Sequence, residues 1–221
     1  MKSKYDWLRY NDQRNKEAIN ILKFNQKNQI NFFEKGLYNH VRDLYAFSII
    51  LASQPNLKAV TKILDYGGNL ISNSNLLNKI KIKKKIFIYN PFIKKKLSLS
   101  KSNIEIINKP NNIKTIDLTY FGSVLQYFKN LENLNGKLVF LKSKYILITH
   151  TPITLISKDF TVKQKNAKNL YQKIHSIKDI SNTLLKNKFQ IIFKSVNDFK
   201  YSGINKRPKE TYLLNLLYKK K

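Results

Sequence analysis

Four short segments carry residue types that could do chemistry. Asp65-Tyr66-Gly67-Gly68-Asn69 sets an acid just ahead of two glycines, a pattern that lets backbone approach a ligand closely and that commonly opens into a helix N-terminus. Asn90-Pro91 closes an apolar run and offers an amide able to hydrogen-bond a hydroxyl. Phe121-Gly122-Ser123-Val124-Leu125-Gln126-Tyr127 joins a glycine to a helix-capping serine, with Gln126 and Tyr127 one turn on. Thr149-His150-Thr151-Pro152, leading to Asp159, supplies an imidazole and a carboxylate, either of which can serve as a general base. Each segment also has a plain structural reading: a tight turn, a cap, an ordinary loop histidine. His40, His150 and His175 are too scattered to define a metal site. With no cysteine, disulfides, thiolate nucleophiles and Cys-ligated metals are excluded.

The elements that must position these residues follow from periodicity and breakers. Residues 1–36 read as a helical extension, and residues 37–221 as an α/β domain. A helix is expected over Leu37 to Ser53, where Leu44, Phe47, Ile50 and Leu51 recur at helical spacing before Pro55. Thereafter short apolar runs alternate with turn signals. Strands are expected at Val60–Leu64, Ile86–Tyr89, Ile104–Ile107, Ile116–Phe121 and Tyr145–Ile148. Helices are expected at Ile71–Ile80, from Ser123 to about Leu134, and at Ile177–Lys186 after a long loop that holds His175. Phe189–Val196 and Thr211–Tyr218 close the chain as an antiparallel hairpin. Strands alternating with helices imply a mostly parallel seven-stranded sheet, whose ligands bind at the carboxyl ends of the strands. All four chemical segments sit just after such a strand.

Composition bounds the rest. A chain of 221 residues with 42% hydrophobic content can bury a core. The longest apolar stretch, Leu44 to Ala52, is about half of the roughly 20 residues that span a bilayer. A soluble cytoplasmic protein is expected. The formal charge of +29 invites a nucleic-acid reading. Among the 42 basic residues, however, only Arg9, Arg14, Arg42 and Arg207 are arginine. A surface selected to read bases would use more of them, because the guanidinium fork pairs bidentately with phosphate and guanine. Lys, Asn, Ile, Tyr and Phe are all products of adenine- and thymine-rich codons, and the lysines are spread along the whole chain. Loose, salt-sensitive association with anionic surfaces could follow from the charge alone.

Taken together, Lys62-Ile-Leu-Asp-Tyr-Gly-Gly68, Phe121-Gly-Ser-Val-Leu-Gln-Tyr127 and Thr149-His-Thr-Pro152 with Asp159-Phe-Thr-Val-Lys-Gln164 resemble a bacterial family of class I methyltransferases often associated with surface-polysaccharide genes. The resemblance runs from about residue 37 to the C-terminus. It implies a Rossmann-like fold and S-adenosylmethionine as cofactor, held by Asp65, Gly67, Gly68, Asn69, Asn90, Phe121, Gly122, Ser123 and Gln126. The implied acceptor is a small molecule or a glycan precursor, with His150 first and Asp159 second as the base. This sequence departs from the family in having His150 where Arg is usual and Asn90 where an acid is usual. It also lacks a Trp after Tyr171. Two other readings stay open: a non-catalytic relative that keeps the fold as a binding module, and a nucleic-acid methyltransferase or binding protein. The absence of an Asn/Asp-Pro-Pro-Tyr motif speaks against the last.

Overall fold

The computed structural model describes residues 39–54, 56, 58–68, 82–90, 103–110, 113–128, 130–131, 134, 142–156, 158–163, 171–197 and 210–221. The expected N-terminal extension, the helix at Ile71–Ile80 and Asn69 lie outside them.

Parallel strands β1 (Thr61–Tyr66), β2 (Lys84–Tyr89), β3 (Ile104–Ile107), β4 (Ile116–Gly122) and β5 (Ser143–Thr154) assemble in the order β3-β2-β1-β4-β5. Along its other edge, β5 pairs antiparallel with β9 (Thr211–Lys220), which in turn carries β8 (Phe189–Asn197). The expected strands therefore form a mostly parallel sheet with an antiparallel hairpin at its edge, the arrangement of the class I methyltransferase fold.

Two helices sandwich it. Helix α1 (Asn39–Ser53) packs with Ile63, Ile86, Ile88, Leu118 and Leu147 on one face, while α2 (Ile177–Lys186) packs with Phe121, Ile146, Ile148 and Leu216 on the other. Ser176 caps α2 by accepting the Asp179 amide at 3.1 Å, Asp179 lies in its first turn and Lys186 in its last. Both ends thus agree with the helix dipole, and a cap of this kind contributes about 1 kcal/mol. Ile180 and Leu184 are fully buried, each stabilising by roughly 1.5–3 kcal/mol.

Three expectations need correction. First, α1 buries Tyr45, Ser48, Ile49 and Ala52, leaving Phe47 and Ile50 about half exposed. Small Ser48 and Ala52 let the helix axis approach the sheet, and Ser48 satisfies its hydroxyl by donating to the Leu44 carbonyl at 2.8 Å.

Second, β5 does not stop at Ile148. A register shift against β9 between Ile148 and Thr151 adds one residue, His150 takes φ +50°, and the strand resumes through Pro152 to Thr154. A bulge admits a proline that a regular ladder would refuse.

Third, the loop beyond it holds two more strands, β6 (Phe160–Lys163) and β7 (Tyr171–Ser176), paired antiparallel. The sheet therefore has nine strands where seven were expected. Strand β7 joins β5 in parallel at Ile153 and Thr154, beyond the point where β4 ends at Gly122. It takes over the β4 side of β5 and so stands above the carboxyl end of β4. His175 lies in this strand rather than in a loop.

Candidate active site

The carboxyl ends of β1, β2, β4 and β5 bring together residues far apart in sequence. Alternation decides which face each one takes. In β1, Asp65 shares the α1 face with Ile63, while Tyr66 turns to the α2 face with Leu64.

The Gly67-Gly68 turn is tight. Gly67 takes φ +80°, and a Cβ there would meet Val124 Cγ2 at 2.5 Å, so only glycine fits. A Cβ on Gly68 would collide with the Asp65 carboxylate, which packs directly against the loop. Gly67 donates its amide to the Tyr89 carbonyl at 2.7 Å. Asn90, at the end of β2, donates from Nδ2 to the Gly68 carbonyl at 3.3 Å. The turn is thereby tied to the neighbouring strand.

Asp65 is buried beneath two phenols. Tyr45 of α1 stacks on Tyr120 of β4 with ring centroids 4.1 Å apart, and Tyr120 Oη shares a 2.9 Å hydrogen bond with Thr149 Oγ1. Burial raises both phenols above their ordinary range. The Asp65 charge adds to the rise in each, and the Thr149 bond opposes it in Tyr120. Both are therefore neutral hydroxyls near pH 7. Tyr120 also curls under Gly122, where a Cβ would come within 2.6 Å of its hydroxyl. On the α2 face an aromatic wall stands behind the turn: Tyr66 meets Tyr89 edge-on at 5.0 Å, Phe121 at 5.3 Å and Phe128 at 5.9 Å.

The corner after β4 differs from expectation. Ser123 takes φ +53° and does not cap a helix. Leu125–Tyr127 form one 3-10 turn, with Val124 at its N-cap position and Phe128 already extended. The Ser123 amide donates to the Thr149 carbonyl at 2.9 Å, which pins the corner to β5, while its hydroxyl accepts from Gln126 Nε2 at 2.9 Å. That bond spends the hydroxyl on a side chain instead of a helix terminus. Gln126 is buried, and its Oε1 finds no hydrogen-bond partner among the described residues. A buried acceptor of this kind is costly unless a ligand satisfies it.

Of the two proposed bases, His150 sits half-buried at the β5 bulge, its backbone amide donating to Asn215 Oδ1 at 3.1 Å. Asp159 is engaged elsewhere. Its Oδ1 accepts the Ser176 amide at 2.8 Å, and its Oδ2 lies 3.4 Å from both Lys173 Nζ and His175 Nδ1. Burial works against the carboxylate, yet the Ser176 amide, His175 and Lys173 outweigh it and hold the carboxyl below its usual range.

Sequence reasoning passed over His175, which is 1% exposed. Burial lowers its pKa, with the Asp159 charge opposing, so the ring is neutral near pH 7. Its Nε2 lies 3.2 Å from the Phe128 carbonyl, which places the single proton on Nε2. The imidazole thus fastens β7 to the Ser123–Phe128 corner. Tyr45 and Tyr120 were likewise missed, and Thr149 was placed in a chemical segment without its tie to Tyr120. An aromatic at helical spacing reads as core, and only the pairing of strands sets these groups around Asp65. Among the described residues no three His, Asp or Glu side chains converge on a point where a metal could bind.

The fold is shared with solved class I methyltransferases. Magnesium protoporphyrin IX methyltransferase from Synechocystis PCC 6803, with bound S-adenosylhomocysteine, superposes with a TM-score of 0.51 at 12% identity, over 87% of this chain and 88% of that one. An S-adenosylmethionine-dependent methyltransferase from Clostridium acetobutylicum gives 0.50 at 14% identity over 90% and 98%. Another from Leishmania major gives 0.50 at 12% over 81% and 73%. No family model matches the sequence, and no curated protein does. These likenesses establish a Rossmann-like methyltransferase fold. Among the described residues no helix is long and apolar enough to cross a membrane.

Proposed function

We infer that the protein is an S-adenosylmethionine-dependent methyltransferase acting on a small molecule or glycan precursor, with the site described above as its active site. The observation that carries this reading is the Asp65–Gly68 turn: a carboxylate packed against a backbone loop that tolerates no Cβ, at the carboxyl end of the first strand of this fold. The solved neighbours described as S-adenosylmethionine-dependent, or holding its demethylated product, support the choice of cofactor.

In this reading Gly67, Gly68 and Asn69 cradle the amino-acid end of the cofactor, and Asp65 provides the anion beneath it. Asn90 faces the ribose hydroxyls with an amide where a full charge is more usual. Phe121, Gly122, Ser123 and Gln126 border the adenine, and Gln126 Oε1 accepts from a ligand N–H. When bound, the cofactor supplies an electrophilic methyl on a sulfonium. The chain's own task is to hold the acceptor oxygen or nitrogen in line with that methyl and to exclude water. His150 takes the acceptor's proton if the acceptor is a hydroxyl. Asp159, acidified and held by the Ser176 amide and Lys173, is the weaker base of the two.

Calorimetric titration with S-adenosylhomocysteine tests the reading. Saturable binding that Gly67→Arg removes, in a variant shown to be folded, supports it. No binding at millimolar ligand would point to a non-catalytic module instead.

A further inference from the structure

The lysines that look dispersed in the sequence converge in the fold. Ladder registers align Thr61 with Lys84, Ile116 with Ser143, Tyr145 with Lys219 and Lys220 with Phe189. The lower ends of β2, β1, β4, β5, β9 and β8 therefore come to one level, opposite the candidate active site. At that level each of these six strands, or a residue beside it, contributes a lysine: Lys83, Lys62, Lys114, Lys142, Lys221 and Lys188 in turn. All are exposed except Lys62, which is half-buried. Five inter-strand gaps of about 4.8 Å make the row roughly 24 Å long.

Little offsets this charge. Of the acids at this end, Asp117 is held by Lys144 at 2.7 Å and by the Lys62 amide at 2.8 Å, and Glu105 by Lys85 at 2.8 Å. No member of the row has an ion-pair partner among the described residues.

We propose that this row is a docking surface for the phosphate headgroups of an anionic bilayer, holding the sheet end-on with its carboxyl end turned away. The chemistry of the row selects the occupant. The row contains no arginine to read bases, and the exposed aromatics among the described residues, Phe47, Tyr171 and Phe193, all lie outside it and give it no platform on which a base could stack. Among the described residues the strand ends at one level form a row, from which no helix or ribbon projects to enter a groove. A lysine is a compact, hydrated charge on a flexible stem. It suits mobile headgroups, which need no fixed geometry, and each one near an anionic surface tightens attachment about fivefold. This inference is independent of the methyltransferase reading, since the row and the carboxyl-end site share no residue.

The test is co-sedimentation of the full chain with phosphatidylcholine vesicles, with and without about a quarter phosphatidylglycerol, at low salt where surface charge is least screened. A row variant (Lys83→Gln, Lys114→Gln, Lys188→Gln, Lys221→Gln) is compared with a control of equal charge altered elsewhere (Lys109→Gln, Lys158→Gln, Lys163→Gln, Lys178→Gln). Unchanged circular dichroism establishes that both are folded. Partitioning onto anionic vesicles that falls several-hundred-fold in the row variant, about fivefold per lysine, and less than about tenfold in the control supports the proposal. Equal losses in both variants would assign the effect to net charge and overturn it, as would failure of the unaltered protein to sediment with anionic vesicles. Displacement from vesicles by duplex RNA at equal phosphate concentration, with RNA binding more damaged than lipid binding by the row changes, would replace the bilayer with a nucleic acid.

Discussion

Towards the carboxyl end of the sheet four strands present different residues: Asp65 and Gly67-Gly68 at β1, Asn90 after β2, Gly122-Ser123 at β4 and Thr149-His150 within β5. At the amino end the same strands are flanked by lysine, over and over. The backbone differs as well. Ser123 and His150 hold positive φ where β4 gives way to its corner and within β5 itself, whereas Lys142 and Lys188 hold it in the turns that lead into β5 and β8. A binding site for a small ligand depends on particular atoms in particular places, so identity and strain matter there. A charged plate depends only on sign and density, so any one lysine is replaceable. Single substitutions should therefore be severe at the first end and cost only about fivefold in attachment at the second.

The largest effect is expected from Gly67→Arg, which puts a side chain where a Cβ already meets Val124. Binding of S-adenosylhomocysteine should weaken by at least about 100-fold, close to 3 kcal/mol, while vesicle partitioning stays unchanged. Retained binding by calorimetry would remove the turn from the site.

Next is Asp159→Asn, which strips the charge facing Lys173 and His175 and should cost about 1–2 kcal/mol in urea unfolding. The pH profile carries the same information. The folded His175 value lies below the ordinary 6.5, so the unfolded chain takes up its proton first and stability declines as pH drops below 6.5. Asp159, depressed from 3.8, contributes stability that is present above that value and lost as pH falls through its folded value. His175→Gln should flatten the first decline and shrink the second, because His175 is one of the groups that depress Asp159. Lysine-row variants should leave both in place.

Tyr120→Phe should cost about 1 kcal/mol by leaving Thr149 Oγ1 without this partner, read as a shift in the urea midpoint. The smallest effect is expected for His150→Gly, where relief of φ +50° should leave thermal stability unchanged or raise it by about 0.5 kcal/mol. Loss of methyl transfer in that stable variant would separate its chemistry from its place in the strand.

Legibility followed the range of the forces involved. Helix α2 runs over Ile177–Lys186 as expected, because its cap, its charges and its apolar face are all local. Strand β1 was visible for the same reason, though it runs two residues past the expected Leu64, to Tyr66. Strand β5 was cut short because Pro152 reads as a breaker, and only the ladder with β9 shows the bulge that admits it. Strands β6 and β7 were missed because Phe160–Lys163 is short and only half apolar, and its partner lies beyond an intervening segment. The helix expected after Ser123 gave way to a 3-10 turn once its amide was claimed by Thr149, a residue of another strand.

By itself the sequence determined the strands β1 to β4, helix α2, the order in which chemical residues follow strands, and the glycine-only turn after Asp65, since each depends on neighbours a few residues away. Tertiary structure alone decided which side chains meet. It set Tyr45 and Tyr120 over Asp65, delivered His175 to the corner after β4, and gathered lysines dispersed along the chain into one row. The reason is that a β-ladder fixes register between strands through hydrogen bonds that local sequence does not specify, and register sets which residues stand at the same height.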